Sequence, residues 1–201
     1  MIMDNELLSD DEIISLVLAG RSRDFEILIQ RYSSKIINFI NRMTADRDEA
    51  QSIAQDVFLK IYQNLPYYKK QNNFSAFIFK IAKNMTLNWL NRQKRTVFFS
   101  RLLKRELDQC PFRQAPVHDH DPEQSERDEK ITKNLRRLPE EQRIALILKI
   151  YLEFSYKQIN EISGWSIPKI ETLISRAKSR LIKNINLQEK NSGIVLKARK
   201  K

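Results

Sequence analysis

The sequence predicts an all-α protein with two small helical domains joined by a linker, the second of which contains a helix-turn-helix. Only three glycines occur in 201 residues, and apolar residues recur at helical spacing over long stretches. Between positions 96 and 128 this pattern is interrupted by prolines and an excess of acidic residues, which predicts a flexible acidic linker. The predicted organisation is a domain at 1–95, the linker at 96–128, a second domain at 129–187 and a basic tail at 188–201.

Four helices are predicted in the first domain. Ser9 and Glu12 have the spacing of a capping box, which predicts that the first helix begins there. Further helices are predicted from about Asp24, Asp48 and Asn73. The second helix carries an apolar stripe long enough for a bundle core, which consists of Phe25, Leu28, Ile29, Tyr32, Ile36, Phe39, Ile40 and Met43.

The second domain is predicted to end in a helix-turn-helix. Pro139 suits the first position of a helix, whose apolar stripe is Ile144, Ile147, Leu148 and Tyr151. Ser155 can cap a short helix, Gly164 allows a tight turn, and Ser166 can cap the helix that follows. The inward face of this last helix is predicted to be Ile167, Ile170, Ile174, Ala177 and Leu181. Its opposite face is Lys169, Thr172, Arg176, Ser179, Arg180 and Lys183.

The distribution of charge indicates a polyanion as partner. Between Pro66 and Arg105 there are ten Lys and Arg residues and no Asp or Glu, whereas the flanking segments are acidic. Aromatic residues are interspersed in this acid-free block: Tyr67, Tyr68, Phe74, Phe77, Phe79, Trp89, Phe98 and Phe99. Cations beside ring faces are what unpaired nucleic-acid strands need, since phosphates bind Lys and Arg and bases stack on aromatic rings. The alternative is a solvated helical face that is merely basic.

Other classes of protein find little support in the sequence. A single cysteine, Cys110, fits a reducing compartment, no apolar run approaches the ~20 residues that cross a bilayer, and the N-terminus is acidic. We therefore predict a cytoplasmic protein without membrane insertion. No glycine-rich phosphate loop or nucleophile elbow occurs, and His118 and His120 lie in the linker without a matching ligand cluster. We predict no enzymatic activity, no cofactor and no metal.

Two segments in order carry a family resemblance. The stretch LPEEQRIALILKIYLEFSYKQINEISGWSIPKIETLISRAKSRL resembles the promoter-reading C-terminal domain of bacterial sigma factors. The stretches DEAQSIAQDVFLKIY and FSAFIFKIAKNMTLNWLNRQKR resemble their promoter-melting N-terminal domain. Only these two domains occur, so the chain resembles the extracytoplasmic-function (ECF) group of the sigma-70 family over about Asp10 to Asn184.

The resemblance implies a transcription initiation factor that binds core RNA polymerase and directs it to promoters. It implies that the third helix docks on a coiled coil of the largest polymerase subunit, through Asp48, Glu49, Gln55, Asp56, Phe58 and Leu59. The helix-turn-helix would read an upstream duplex element, through Ser166, Lys169, Thr172, Arg176, Ser179 and Arg180. The acid-free block would open a downstream AT-rich element and hold a single strand, through Tyr67, Tyr68, Lys69, Lys70, Asn72, Asn73, Lys80, Lys83, Asn84, Asn88 and Arg92.

The chain departs from the family pattern at several positions. Ser52 stands where many members have an acidic residue, and Phe77 and Asn88 replace a frequent Trp and Asp. At the front of the recognition helix, Glu171-Thr172-Leu173 replaces a common Lys-Ser-Arg run. The acidic linker and two separable domains leave room for an anti-sigma protein as a further partner.

Two alternative functions remain open at this level. One is a stand-alone helix-turn-helix transcriptional regulator that binds DNA without polymerase. The other is a nucleic-acid-binding protein that is indifferent to sequence.

Overall fold

The computed structural model describes the backbone of residues 8–69, 73–103 and 131–198 and the side chains of residues 8–69, 73–96 and 131–184. All regular structure in these ranges is helical, which confirms the predicted all-α class. The chain divides into two compact units. The helices of the first are Asp10–Leu18 (α1), Phe25–Thr44 (α2), Arg47–Asn64 (α3) and Phe74–Leu103 (α4). The second contains residues 131–136 (α5), Glu140–Leu146 (α6), most of Tyr156–Ser163 (α7), and Ile167–Ala198 (α8).

The core of the first unit lies where α2, α3 and α4 pack against one another, and α1 lies against α2. Phe39 of α2 meets Phe79 of α4 edge to face, with ring centroids 5.7 Å apart, and both rings are buried. Every predicted member of the α2 stripe except the half-buried Ile29 is buried. The apolar spacing therefore identified the core face of this helix correctly, because one side of an α-helix repeats every three to four residues.

Local signals set the helix starts. The Ser9 hydroxyl accepts the Glu12 amide hydrogen while the Glu12 carboxylate accepts that of Ser9, so the predicted capping box is confirmed. Ser155 and Gln158 form the same box at the start of α7. Each box satisfies backbone donors that an uncapped helix would leave without a partner.

The predicted helix-turn-helix is present in the second unit. Gly164 ends α7 in a left-handed conformation, with φ of +77°, and its N–H bonds the Asn160 carbonyl at 2.7 Å. The turn is held further by the Asn160 amide, which donates to the Trp165 carbonyl at 2.7 Å. Along α8, which packs against α6, Ile170, Ile174 and Ala177 are buried as predicted.

Several predicted boundaries and faces differ from the structure. Pro139 is the cap of α6 rather than its first residue, because its ψ of 146° is extended. The end of that helix widens into a π-turn at Ile147–Tyr151, and the Tyr151 side chain is exposed. Ile167, predicted to face inward, is exposed, because it is the first residue of α8 and the exposed Ser166 and Pro168 flank it.

The predicted domain boundaries stay predictions. Helix α4 continues through Leu103, past the expected start of the linker at residue 96, and α8 continues through Ala198, past the expected start of the tail. Residues 104–130, with Cys110 and the two histidines, lie outside the described residues.

Candidate functional site

The exposed side of α4 carries a ladder of cationic and amide side chains. Lys80, Asn84, Asn88 and Arg92 follow one another at intervals of four residues, and all four are exposed. Residues four apart lie on the same side of a helix, one turn above the other. At ~1.5 Å per residue the ladder is about 18 Å long, which matches roughly five base steps at ~3.4 Å along one strand. We call these four residues the α4 ladder.

All but one of the described rings in the acid-free block are buried or half-buried. Phe74 and Phe79 are buried, and Phe77 and Trp89 are half-buried. Tyr67 is the exception among the described rings of this block, with 81% of the residue exposed. The side chains of Phe98 and Phe99 lie outside the described ones. The apolar face of α4 needs these rings for its core, so few are left for a DNA strand.

Tyr68 was predicted to be a DNA-contacting ring, and in the structure it is half-buried and engaged by other residues of the same unit. Its ring packs against Phe74 and Phe77, with centroids 5.5 Å and 5.1 Å away. Its hydroxyl donates to Asp11 Oδ1 at 2.9 Å and accepts the N–H of Asn73 at 3.4 Å. A half-buried ring with two aromatic neighbours and a hydrogen-bonded hydroxyl acts as a structural anchor in this unit.

The other predicted strand-binding residues divide into three groups. Lys69 and Asn73 both lie between α3 and α4, where Lys69 is exposed and Asn73 is half-buried. Lys70 and Asn72 lie outside the described residues. Lys83 is buried, with 9% exposed. Burial lowers the pKa of its ammonium, and the neighbouring charge of Lys80 adds to that effect. The DNA contact of Lys83 stays a prediction, made by a cation that is buried here.

The acid pair at the start of α1 has a structural role that its sequence did not reveal. Asp10 pairs with Arg31 and accepts from the Tyr32 hydroxyl, while Asp11 accepts from Tyr68. Burial raises the pKa of the Tyr32 phenol, and the hydrogen bond to Asp10 raises it further. From sequence, two acids in a first helical turn indicate only favourable interaction with the helix dipole. Their tyrosine partners are remote in the chain, so no local signal identified them.

The outer face of α8 carries the predicted DNA-reading residues. Ser166, Lys169, Thr172, Arg176, Ser179 and Arg180 are all exposed. The Lys169 ammonium lies 2.8 Å from Glu141 Oε1 and 5.1 Å from the centroid of the Trp165 ring. Because both partners of this ion pair are about half exposed, its worth is at most ~1 kcal/mol, little enough for DNA to displace it.

Two of the hydroxyls on the same face, those of Thr172 and Ser179, are already used as donors. Thr172 donates to the Pro168 carbonyl at 2.9 Å and Ser179 donates to the Ser175 carbonyl at 3.1 Å. A hydroxyl whose hydrogen is engaged offers lone pairs only, and phosphate oxygens offer no hydrogen. Arg176 and Arg180, by contrast, are exposed cations whose guanidinium groups can only donate.

The residues that replace the family's cationic run fall on different sides of α8. Glu171 and Thr172 are exposed, whereas Leu173 is buried with 7% exposed. Leu173 therefore belongs to the core of this unit. Glu171 is the one acidic side chain added to the front of the reading face.

The predicted polymerase-binding residues lie on α3. Asp48, Gln55 and Asp56 are exposed, Glu49 is half-buried, and Leu59 is 58% exposed. Phe58 is 8% exposed, because its position in the helix turns it toward the core, and its polymerase contact stays a prediction. The remaining face is acidic and polar with a leucine at one end.

Neither a group of metal ligands nor a membrane-spanning helix occurs in the described part of the chain. Within residues 8–69, 73–103 and 131–198, no three His, Cys, Asp or Glu residues gather as metal ligands would. None of the helices described is both long and apolar enough to cross a bilayer.

Comparison with known families matches each unit separately. The family model of Sigma-70 region 2 matches residues 28–96, which include α3 and the α4 ladder. The model of Sigma-70, region 4, matches residues 128–181, which include the helix-turn-helix. Together the two models cover more than half of the chain, in the order expected from the sequence.

Individual relatives agree with these matches. RNA polymerase sigma factor YlaC of Bacillus subtilis is 29% identical over 164 residues, covering 80% of this chain and 91% of that protein. ECF RNA polymerase sigma factor SigW of the same species is 25% identical over 176 residues, covering 86% and 94%. The fold resembles that of the sigma factor RpoE in complex with the anti-sigma factor NepR from Bartonella quintana. The TM-score is 0.64 at 23% identity, covering 82% of this chain and 98% of that one. The chain belongs to the extracytoplasmic-function group of the sigma-70 family, and is a transcription initiation factor rather than an enzyme.

Proposed function

We propose that this sigma factor reads an upstream duplex promoter element with α7 and α8, and opens a downstream AT-rich element with the α4 ladder and Tyr67. We further propose that the exposed face of α3 docks on core RNA polymerase. The observation that carries the proposal is the α4 ladder, where cations and amides are aligned over about 18 Å.

The chemistry of the ladder suits a strand being separated from its complement. Lys80 and Arg92 can bind phosphates, while the amides of Asn84 and Asn88 can both donate to and accept from base edges. Tyr67 adds one exposed ring beside them in sequence, and stacking on an aromatic ring is worth about 1–3 kcal/mol per base. That is comparable to the few kcal/mol needed to take a base out of the stack. Capture by this surface can therefore offset the cost of opening.

The chemistry of α8 suits a duplex. A recognition helix contacts base edges with its N-terminal residues and phosphates further along. Thr172 lies near the start of α8 with lone pairs available, and Arg176 and Arg180 follow one and two turns later on the exposed side. Base reading near Thr172 and phosphate binding at the arginines follow from this order.

Substitution of two ladder cations tests the melting role. We expect Lys80→Ala with Arg92→Ala to slow opening about tenfold or more and to lower the salt slope by about 1.4–1.8, since two phosphate contacts are lost. Opening is measured as permanganate reactivity of unpaired thymines, with holoenzyme on a promoter first isolated from a genomic-fragment library by in vitro transcription. The control is Arg23→Ala with Lys35→Ala, which removes the same charge from other exposed positions of this unit. Equal opening by both double variants would contradict the proposal.

A single leucine tests the polymerase surface. Leu59→Lys should weaken association with core polymerase at least tenfold, because an exposed apolar side chain at an interface is replaced by a charge. Fluorescence anisotropy of labelled sigma factor measures the affinity. Leu18→Lys is the matched control, since Leu18 is also an exposed leucine but lies on α1. If Leu59→Lys binds polymerase as the control does, the α3 face is not the docking surface.

We also propose an anti-sigma protein as a regulatory partner. Support comes from the similar Bartonella quintana fold, which was solved with its anti-sigma factor. Tagged sigma factor purified from its own cells should then contain a stoichiometric partner that core polymerase must displace. A protein that is recovered alone and fully active in cell extract without any stimulus contradicts this proposal.

A further inference from the structure

We propose that Asp11 is a positioning residue for promoter opening, which acts through Tyr68 on Tyr67 and Asn73. This inference rests on the proposed melting function and names a further residue that the function needs. It comes from one juxtaposition: the hydroxyl of Tyr68 is hydrogen-bonded both to Asp11 and to the backbone of Asn73. Asp11 lies 57 positions before Tyr68 in the sequence, and nothing in the family match, which begins at residue 28, includes it.

The Tyr68 hydroxyl links α1 to the start of α4 through two hydrogen bonds. It accepts the backbone N–H of Asn73, the residue before α4, at 3.4 Å, and donates to Asp11 Oδ1 at 2.9 Å. The distance to Asn73 is at the long end for a hydrogen bond, so the bond to the carboxylate is the stronger of the two. Because a phenol has a single hydrogen, the bond to Asp11 also orients the lone pairs that face Asn73.

Packing fixes the ring as well as the hydroxyl. Tyr68 lies against Phe74 and Phe77 in the first turn of α4, and Phe74 in turn meets Tyr32 of α2 at 5.6 Å. Helix α1 also contacts the 3-10 turn Leu65–Tyr67. Tyr67, the exposed ring of the proposed melting surface, is therefore the last residue of a turn that α1 contacts, and it directly precedes the anchored Tyr68.

Anchoring of Tyr68 limits how far the neighbouring Tyr67 and the hydrogen-bonded Asn73 can move. This restriction matters for the capture of a nucleobase. A site that is preorganised does not lose the free energy of ordering its own groups when the ligand binds. Without the bond to Asp11, Tyr67 and Asn73 would still be present, but part of the stacking energy would be used to order them. The variant protein should therefore bind polymerase normally and yet discriminate poorly between a base and its absence.

The experiment uses holoenzyme and forked DNA built from a promoter that the fragment library yields. The unpaired non-template strand carries either the natural bases or one abasic site at each position in turn. The quantity measured is base discrimination, the largest ratio of the affinity for the intact fork to that for an abasic fork. Association with core polymerase and the thermal midpoint are measured on the same proteins.

The variants separate positioning from stability. Tyr68→Phe keeps the ring and loses the hydroxyl, Asp11→Ala loses the acceptor, and Asp11→Asn keeps an acceptor oxygen. Tyr32→Phe is the matched control, because it removes a phenol–aspartate bond to the neighbouring Asp10 that anchors α2 instead. Each of the two phenols, Tyr32 and Tyr68, thus donates to one of the two adjacent aspartates of α1.

We expect wild-type protein and Asp11→Asn to discriminate about tenfold, and Tyr68→Phe and Asp11→Ala to fall to about twofold or less. Tyr32→Phe should lower the thermal midpoint at least as much as Tyr68→Phe does, but keep full discrimination. If Tyr68→Phe keeps full discrimination, or if Tyr32→Phe loses as much, the positioning role is overturned.

A further variant distinguishes this inference from the proposed function. Tyr67→Ala should lose base discrimination if the exposed ring of Tyr67 captures a nucleobase. Loss in Tyr67→Ala together with retention in Tyr68→Phe overturns the role of Asp11 alone. Retention in both overturns the base-capture role, and the positioning inference falls with it.

Discussion

Leu173 offers a sharp test of which residues on α8 face DNA. Many family members have a cation at this position of the recognition helix, so Leu173→Arg restores the family pattern. In this chain the side chain is 7% exposed, and burying a leucine is worth about 1.5–3 kcal/mol. Arginine gives up this burial and also brings a charge, whose burial without a partner costs several kcal/mol more.

The expected loss of stability can be expressed as a change in the thermal midpoint. Leu173→Ala should cost about 2–5 kcal/mol, since a buried leucine leaves a cavity. For a unit of this size each kcal/mol lowers the thermal midpoint by about 4–8 °C, so even ~2 kcal/mol corresponds to roughly 8–16 °C. Leu173→Arg should lower it by at least as much. We expect neither variant to gain affinity for promoter DNA.

The assay follows the second unit specifically. In a Trp89→Phe background, Trp165 is the remaining tryptophan and reports unfolding of the unit that contains α8. Glu171→Lys is the control, because Glu171 is exposed two residues earlier, and surface changes usually alter stability by less than ~0.5 kcal/mol. A Leu173→Arg protein that melts like wild type and binds promoter DNA more tightly would refute the placement of Leu173 in the core.

Three further predictions concern local features. Arg176→Ala and Arg180→Ala should each lower the salt slope of promoter binding by about 1 with little change in sequence preference, as a holoenzyme mobility-shift series in salt would reveal; a change in preferred sequence would instead assign them to base reading. The hydrogen bonds from Ser9 hold the pKa of Glu12 below its usual 4.5, so their contribution to stability is present above that pH and is lost as the pH falls through the lowered value. Thermal melts of Glu12→Gln should lack this acid-dependent loss, and parallel pH profiles for both proteins would argue against it. Gly164→Ala should cost about 1–2 kcal/mol in chemical unfolding, because its φ of +77° strains a side chain even where space is open, and Gly164→Asn should cost less; equal costs would point to a steric cause.

The helices and their caps could be predicted because their signals are local. A capping box needs two residues three positions apart, and an apolar stripe needs one helical repeat, so both can be recognised in a single stretch of sequence. The turn at Gly164 could be predicted for the same reason, because a glycine at the end of a helix is itself a local signal for a turn. The predicted helix starts differ from the observed ones by a residue or a turn, as at Pro139, whose extended ψ makes it a cap, whereas α4 and α8 continue about two to three turns past their expected ends.

The side on which an aromatic or a cation falls could not be predicted as well. Tyr67 and Tyr68 are adjacent and chemically identical, yet one is exposed and the other is anchored to Asp11. Phe58 and Leu59 divide in the same way on α3. Which of two neighbours is buried depends on the helices that pack around them, and those helices come from distant parts of the chain.

By itself the amino-acid sequence determined the all-α class, the family and the positions of its helical surfaces, because periodicity, caps and charge act over a few residues. The tertiary structure decided which of the predicted contacts remain available. It buried Phe58 and Leu173, anchored the half-buried Tyr68 and gave Asp11 a partner. The physical reason is that burial and hydrogen bonding are properties of neighbours in space, and a pair 57 residues apart leaves no pattern in either local segment.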